Sequence, residues 1–407
     1  MTASTMRIGY LPLVDAAIPI LAHELGFASD EGLKLELIGD QSWATVRDRL
    51  IYGHTDAAHL LAPLAIATSL GLGRPPVKLV APFSLGLNGN AITLLAPLAQ
   101  KLRKLGGAVD DPAATGAALA RLISERPYAR LRLAVVHRFS SHNYMLRYWL
   151  AACGIDPEKD VDIVVVPPPF TGEALASGEI HGACVGEPWN SLAVDAGAAE
   201  IIGTTATIWQ RGVEKVLAMR ADVADGDPGR RDALLRALDR AARVAGDPDR
   251  QQEVAEIIGG ERYLNKPASL IERALSGRLA FAANSEHDAP RPDFLLFYRD
   301  AANYPWVSQA LWLYSQMVRW GHAAWDAQAL EIVRQVFQPQ IYRRALIDTG
   351  TPLPGAMEKV EGSIAVPTGV GTFRGRLMLG PDRFFDGRRF DPDDLEGYLA
   401  SLTSPPR

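Results

Sequence analysis

Several short segments of this sequence place polar and aromatic side chains where a small ligand could meet them. In DQSWATVRDRL (40–50), Asp40 or Ser42 can cap a helix, and Trp43 then falls in its first turn. A Trp there either packs in a core or offers a ligand a flat wall and one indole N–H donor. In HRFSSHNYMLRYWLAACGID (137–156), Ser140 or Ser141 caps a second helix, which puts His142 and Asn143 in its first turn. Backbone N–H groups and the helix dipole make that end attractive to anions. The same positive end disfavours imidazolium, so His142 is expected as a neutral donor, with capping or packing as its plainer role. In TIWQRGVEKVLAMR (207–220), Lys215 opens an apolar, strand-like run and supplies a point charge for a small anion. FSLGLNGNAITL (83–94) carries an Asn88-Gly89 turn followed by Asn90, whose amide can face a ligand. In ACVGEPWN (183–190), Glu187 can meet a cation, hold a metal or bridge two lobes, and bridging is the reading taken. His54, His59, Cys153 and Cys184 read as structural.

The elements that must position these residues alternate. RIGYL, a helix over 16–26, LKLELIGD, a helix over 42–53, DAAHLL, a helix over 62–72 and VKLVAPF follow in order. Then come AITLLA, RLAVVH, a helix over 141–153, VDIVVVPPP, ACVGEP with a helix, and AEIIGTT. Residues 106–127 read as a surface insertion with one helix. This βα alternation predicts an α/β fold with largely parallel sheets in two lobes joined by a hinge. Lobe one is placed at 1–84 plus 205–407 and lobe two at 85–204. Residues 228–260, 264–275, 307–321 and 324–337 read as a helical C-terminal extension, and the last ~50 residues as a Gly- and Pro-rich wrapping tail. In such folds a ligand sits between lobes, at strand C-termini and helix N-termini.

Of 407 residues, 48% are hydrophobic and 22% charged, which suits two or three globular units. The net charge of −5 and the lack of any Lys/Arg-rich run argue against direct nucleic-acid contact. Two cysteines exclude a disulfide framework and a cysteine-built zinc site. No GxSxG, HExxH, Walker A or dinucleotide fingerprint occurs in the right context, so no catalytic residue, cofactor or metal is assigned. Arg7, Pro12, Asp15 and Pro19 interrupt the first apolar runs, which do not read as an export signal. Residues 57–73 and 79–100 fall short of a membrane span. The expectation is a soluble, cytoplasmic protein.

Taken together, SWATVRDRL, DAAHLLAP, LNGNAITL, SSHNYMLRYWLAACGIDPEKDVDIVVVPPP, GEPW and VEKVLA resemble the nitrate- and bicarbonate-binding proteins of ABC transporters, in consistent order over roughly residues 6–340. That resemblance implies a two-lobed, periplasmic-binding-protein-like (type II) fold with one small oxyanion in its cleft. It carries a ligand-binding Trp onto Trp43, a His onto His142 and a Lys onto Lys215. A family Gln falls on Asn90, a shorter amide, and a position often Gly is Asn143. The bicarbonate branch uses acidic residues and a metal near the Lys position, so Lys215-Val216 favours nitrate or nitrite. Nitrate is planar, monovalent and weakly basic; an ammonium, a Trp face and oriented N–H donors complement it, and a carboxylate-lined pocket is expected to repel it.

Without an evident leader, the chain resembles the cytoplasmic branch (NasS-type), sensors of nitrate assimilation. That branch implies a partner, an RNA-binding antitermination regulator held by the sensor and released by nitrate. The alternatives are a solute-binding component of a nitrate/nitrite transporter, a lyase using Cys184 or a His, and a regulatory subunit with a vestigial pocket.

Overall fold

The computed structural model describes residues 4–126, 128–283, 285 and 290–402. The first sheet is built from β1 (Ser4–Tyr10), β2 (Leu33–Gly39), β3 (Ala57–Leu61) and β4 (Leu79–Ser84). After a short β5 (Leu87–Asn88), the second sheet takes β6 (Asn90–Leu95), β7 (Leu131–Val135), β8 (Val161–Val165), β9 (Gly182–Gly186) and β10 (Ala199–Thr204). The chain then returns to the first sheet as β11 (Lys215–Arg220). The sheet orders are β2-β1-β3-β11-β4 and β10-β6-β9-β7-β8. The edge strand β2 alternates buried and exposed residues over Leu33–Glu36, whereas β3, AAHLL, is buried throughout. The first pattern suits a strand with one wet face; the second suits a strand covered on both.

Each sheet contains an antiparallel strand that matters for placement. β1, β2 and β3 are parallel, and β11 runs antiparallel to β3, with Lys215 opposite Leu61. The first residue of β11 therefore sits beside the C-terminal end of β3. In the second sheet β7, β8 and β9 are parallel and β6 runs against β9, with Asn90 opposite Gly186. Asn90 is thus delivered to the C-terminal end of β9. Both sheets aim this edge at the space between the lobes, where ligands bind in open α/β folds.

Two helices start at the same edge. Trp43–Ile51 is capped by Ser42, whose Oγ accepts from Thr45 N at 3.2 Å, while Asp40 pairs with Arg49 instead. Ser141–Ala152 is capped by Ser140, whose Oγ accepts from Asn143 N at 3.1 Å. These bonds satisfy N–H groups that a helix start leaves free, and they fix where Trp43 and His142 project.

The chain crosses between sheets near residues 85–89 and 205–214, and the Asn88 side chain ties the crossings together. Its Nδ2 donates to Gln210 O at 2.8 Å and Asp293 O at 3.0 Å, and its Oδ1 accepts from Gly212 N at 3.1 Å. Asn88 and Gly89 have φ of 63° and 91°, and a Cβ on Gly89 would lie 2.8 Å from Leu295 Cδ1. Glycine is the residue that tolerates both conditions.

The helical stretch expected over 228–260 is two helices, Pro228–Ala245 and Gln251–Gly259, because Gly246-Asp247-Pro248 breaks it. The helix expected from 264 begins after Pro267, at Ala268. Pro188 is the N-cap residue of the helix Trp189–Asp195. The tail wraps the body: Phe384 stacks on Trp209 and Trp312 with centroids 4.9 and 5.5 Å apart, and Tyr148 Oη donates to Asp386 at 2.9 Å. The lobes close through Val14 N donating to Glu187 O at 2.9 Å and Arg273 pairing with Asp195. Among the described residues no helix is long and apolar enough to cross a membrane.

Candidate functional site

At the facing strand ends lies a buried cluster of charge. Lys215 Nζ is 2.7 Å from Asp15 Oδ2 and 2.6 Å from Glu214 Oε1. Asp15 comes from the turn after β1, and Glu214 from the crossing that leads into β11. His59, on β3, brings Nε2 to 3.0 Å from Asp15 Oδ1. From the other lobe, His142 Nδ1 lies 3.2 Å from Glu214 Oε1, and Ser141 Oγ donates to Glu214 Oε2. Trp43 closes one side: Lys215 Nζ is 5.2 Å from its ring centroid, and its ring lies 5.4 Å from that of His59. Lys215, Glu214 and Asp15 are only 1%, 3% and 6% exposed, so water does little to screen them.

Asn90 faces the same space. A Cβ on Gly186 would lie 3.2 Å from Asn90 Oδ1 and 3.9 Å from Asp15 Oδ2. Several polar atoms here are buried with no hydrogen-bond partner: Trp43 Nε1, Asn90 Oδ1, Asp15 Oδ1 and both ring nitrogens of His59 and His142. The imidazoles approach their carboxylates off the line of a hydrogen bond. An unsatisfied buried polar group costs ~1–3 kcal/mol, and folded proteins satisfy the large majority of them. Several orphans around one ammonium mark a site shaped for a polar partner.

The charge states follow from the neighbours. Burial alone would raise the Asp15 carboxyl, but Lys215 and His59 hold it well below the usual range. Burial likewise opposes ionisation of Glu214, and His142, Lys215 and Ser141 outweigh it. For Lys215 burial favours the neutral amine, yet the two carboxylates hold the proton more firmly than usual. Burial, only partly offset by Glu214, depresses His142 to about 4, and burial also lowers His59. At neutral pH the site therefore contains an ammonium, two carboxylates and two neutral imidazoles.

The structure brings Trp43, Asn90, His142 and Lys215 together. Asn143 lies in the same helical turn, but its side chain is engaged elsewhere: Nδ2 donates to Arg138 O at 2.7 Å and Oδ1 accepts from Arg147 Nε at 2.9 Å. Three members were missed from the sequence. In the sequence Asp15 is only an interruption of an apolar run, Glu214 only the neighbour of Lys215, and His59 one polar residue inside an apolar strand. Two carboxylates, Asp15 and Glu214, clamp Lys215, where the sequence reading expected an ammonium without acidic neighbours. Glu187 meets the other lobe through its backbone carbonyl; burial raises its carboxyl to about 7, against Ser191, Arg273 and Asn190. Burial pushes the Cys184 thiol far up and that of Cys153 up to about 12, the opposite of an activated nucleophile.

The description "NMT1-like family" matches residues 2–259. The chain is 31% identical over 98% of its length to the nitrate import ATP-binding protein NrtC of Synechocystis sp., and 30% identical over 97% to the bicarbonate transport ATP-binding protein CmpC of the same organism. It spans about half the length of these curated relatives, 55% and 54%. The crystal structure of the periplasmic nitrate-binding protein NrtA from Synechocystis PCC 6803 superposes with a TM-score of 0.86 at 26% identity, covering 98% of both chains. The fold is thus periplasmic-binding-protein-like.

The buried imidazoles set an acid limit on stability. His142 titrates near 4 in the fold and near ~6.5 in an unfolded chain, so between these values only the unfolded chain takes the proton. Stability therefore rises with pH across that window, by up to about 3 kcal/mol from His142, and His59 acts with the same sign. Asp15 and Glu214, held low in the fold, stabilise it above the ordinary carboxylate range and lose that effect as pH falls through their folded values. Urea unfolding between about pH 4.5 and 7.5 is expected to show the rise, and His142→Gln to flatten it.

Proposed function

This chain belongs to the NMT1-like family, and we propose that its cleft binds a small monovalent oxyanion, nitrate or nitrite, without chemical turnover. The observation that carries the reading is the buried Lys215 ammonium, ringed by unpartnered polar atoms of Trp43, His142 and Asn90 from both lobes. A planar anion accepts in-plane hydrogen bonds from the Lys and His donors and from the indole N–H. Its weak hydration makes its transfer out of water less costly than that of a dianion. The named relatives act on nitrate and on bicarbonate. The space between Asp15 and Glu214 is filled by the protein's own cation, Lys215, which favours the nitrogen oxyanions.

For its output we infer a cytoplasmic sensor. Closure of the lobes on the anion would reshape the surface that holds an RNA-binding antitermination regulator, and the regulator would be released. The motif set supports a nitrate or nitrite ligand, which this reading shares with a transporter component. A solute-binding component of a nitrate/nitrite transporter would share the ligand and lack that partner.

Titration calorimetry with nitrate, nitrite, bicarbonate and sulfate is expected to give heat with the first two. His142→Ala and Trp43→Ala should each weaken binding by about 1.5–3 kcal/mol, and Lys215→Met at least as much. Wild-type affinity in all three variants would refute the site. In lysate without nitrate, a pull-down is expected to capture an RNA-binding regulator, and added nitrate to release it. Capture unaffected by nitrate would contradict the sensing mechanism.

A further inference from the structure

The cation offered to the ligand is already paired twice over. Lys215 Nζ donates to Asp15 and to Glu214, and the trio carries one net negative charge in a place nearly closed to water. An anion added there with nothing else would be repelled by both carboxylates at short range. An imidazole stands beside each of them, His59 on Asp15 from within lobe one and His142 on Glu214 from lobe two. Building on the oxyanion-binding reading above, we propose that the anion is bound together with one proton taken from solution by the His142–Glu214 pair, and that Asp15 and Glu214 thereby restrict the ligand to a single negative charge.

The pair is chosen over His59–Asp15 because it forms across the cleft. His142 and Ser141 belong to one lobe, while Glu214 lies on the segment returning to the other, so the contact spans the two lobes. A proton on this pair cancels one carboxylate's charge and loosens Glu214's hold on Lys215. Lys215 keeps a third N–H for the anion beside the two given to the carboxylates, Glu214 then competes for the ammonium less, and the imidazolium adds a second donor. With the proton, occupancy leaves the charge of the site unchanged; a dianion would still add a negative charge that nothing nearby cancels.

The titratable groups that face the pair are Lys215 on β11, Asp15 on the turn after β1, His59 on β3 and Cys184 on β9. Trp43 and Asn90 bring no charge. Glu187 is a separate buried carboxyl that faces Ser191, Asn190 and Arg273, and it titrates close enough to neutrality to serve as a control.

The test is calorimetry of the full chain with sodium nitrate near pH 7 in bis-tris, imidazole and Tris, whose ionisation heats differ. The dependence of the observed heat on buffer gives the protons taken up per nitrate. Uptake approaching one proton is expected, with affinity falling by up to about tenfold per pH unit as the solution is made more alkaline. Glu214→Gln should bring the count toward zero and flatten the pH profile, Glu187→Gln should leave both as in the wild type, and sulfate should give no heat. Nitrate binding with no proton taken up by the wild type, or sulfate bound as well as nitrate, would overturn the proposal. No heat with nitrate or nitrite between about pH 5.5 and 8 would instead overturn the oxyanion reading on which it rests.

Discussion

The Lys215 ammonium, held between two buried carboxylates, is the interaction on which the rest of the site depends. Burying a lone charge costs several kcal/mol, and a paired one is tolerated only where geometry and further hydrogen bonds are good. Here Asp15 and Glu214 supply the geometry and Ser141 a further bond. The trio joins the turn after β1 to the start of β11, 200 residues apart in the chain. Glu214 then meets His142 from the opposite lobe. Removing the lysine would leave two carboxylates facing each other without a counter-charge, so the same contact serves fold and ligand.

The topology makes this convergence possible. In each sheet one strand enters antiparallel at the edge where its parallel neighbour ends, and its first residue lands on the cleft. Lys215 does so in one sheet and Asn90 in the other. Capped helix starts bring Trp43 and His142 to the same level, one from each lobe. Site residues that are scattered along the chain need only this arrangement of edges and caps to meet.

Much of this was legible in the sequence, because it rests on local rules. The βα alternation gave two α/β lobes, Ser-type caps located Trp43 and His142 in first turns, and a lysine opening an apolar run marked the start of β11. What stayed hidden depends on pairing across the chain. Asp15 in an apolar stretch and His59 inside AAHLL gain meaning only when β1, β3 and β11 lie side by side. Glu214 stands directly before Lys215, and no local rule says that its carboxylate turns onto that lysine and onto His142 from the other lobe. The breaks at Gly246-Asp247-Pro248 and before Ala268 are written in proline and glycine, which outweigh the helical periodicity around them.

A crystal structure of the protein grown in sodium nitrate tests the central claim most directly. The account predicts one planar anion within hydrogen-bond distance of Lys215 Nζ, His142 and the Trp43 indole N–H. Nitrate bound elsewhere, or Lys215 still donating only to Asp15 and Glu214 with no anion beside it at saturating nitrate, would contradict it.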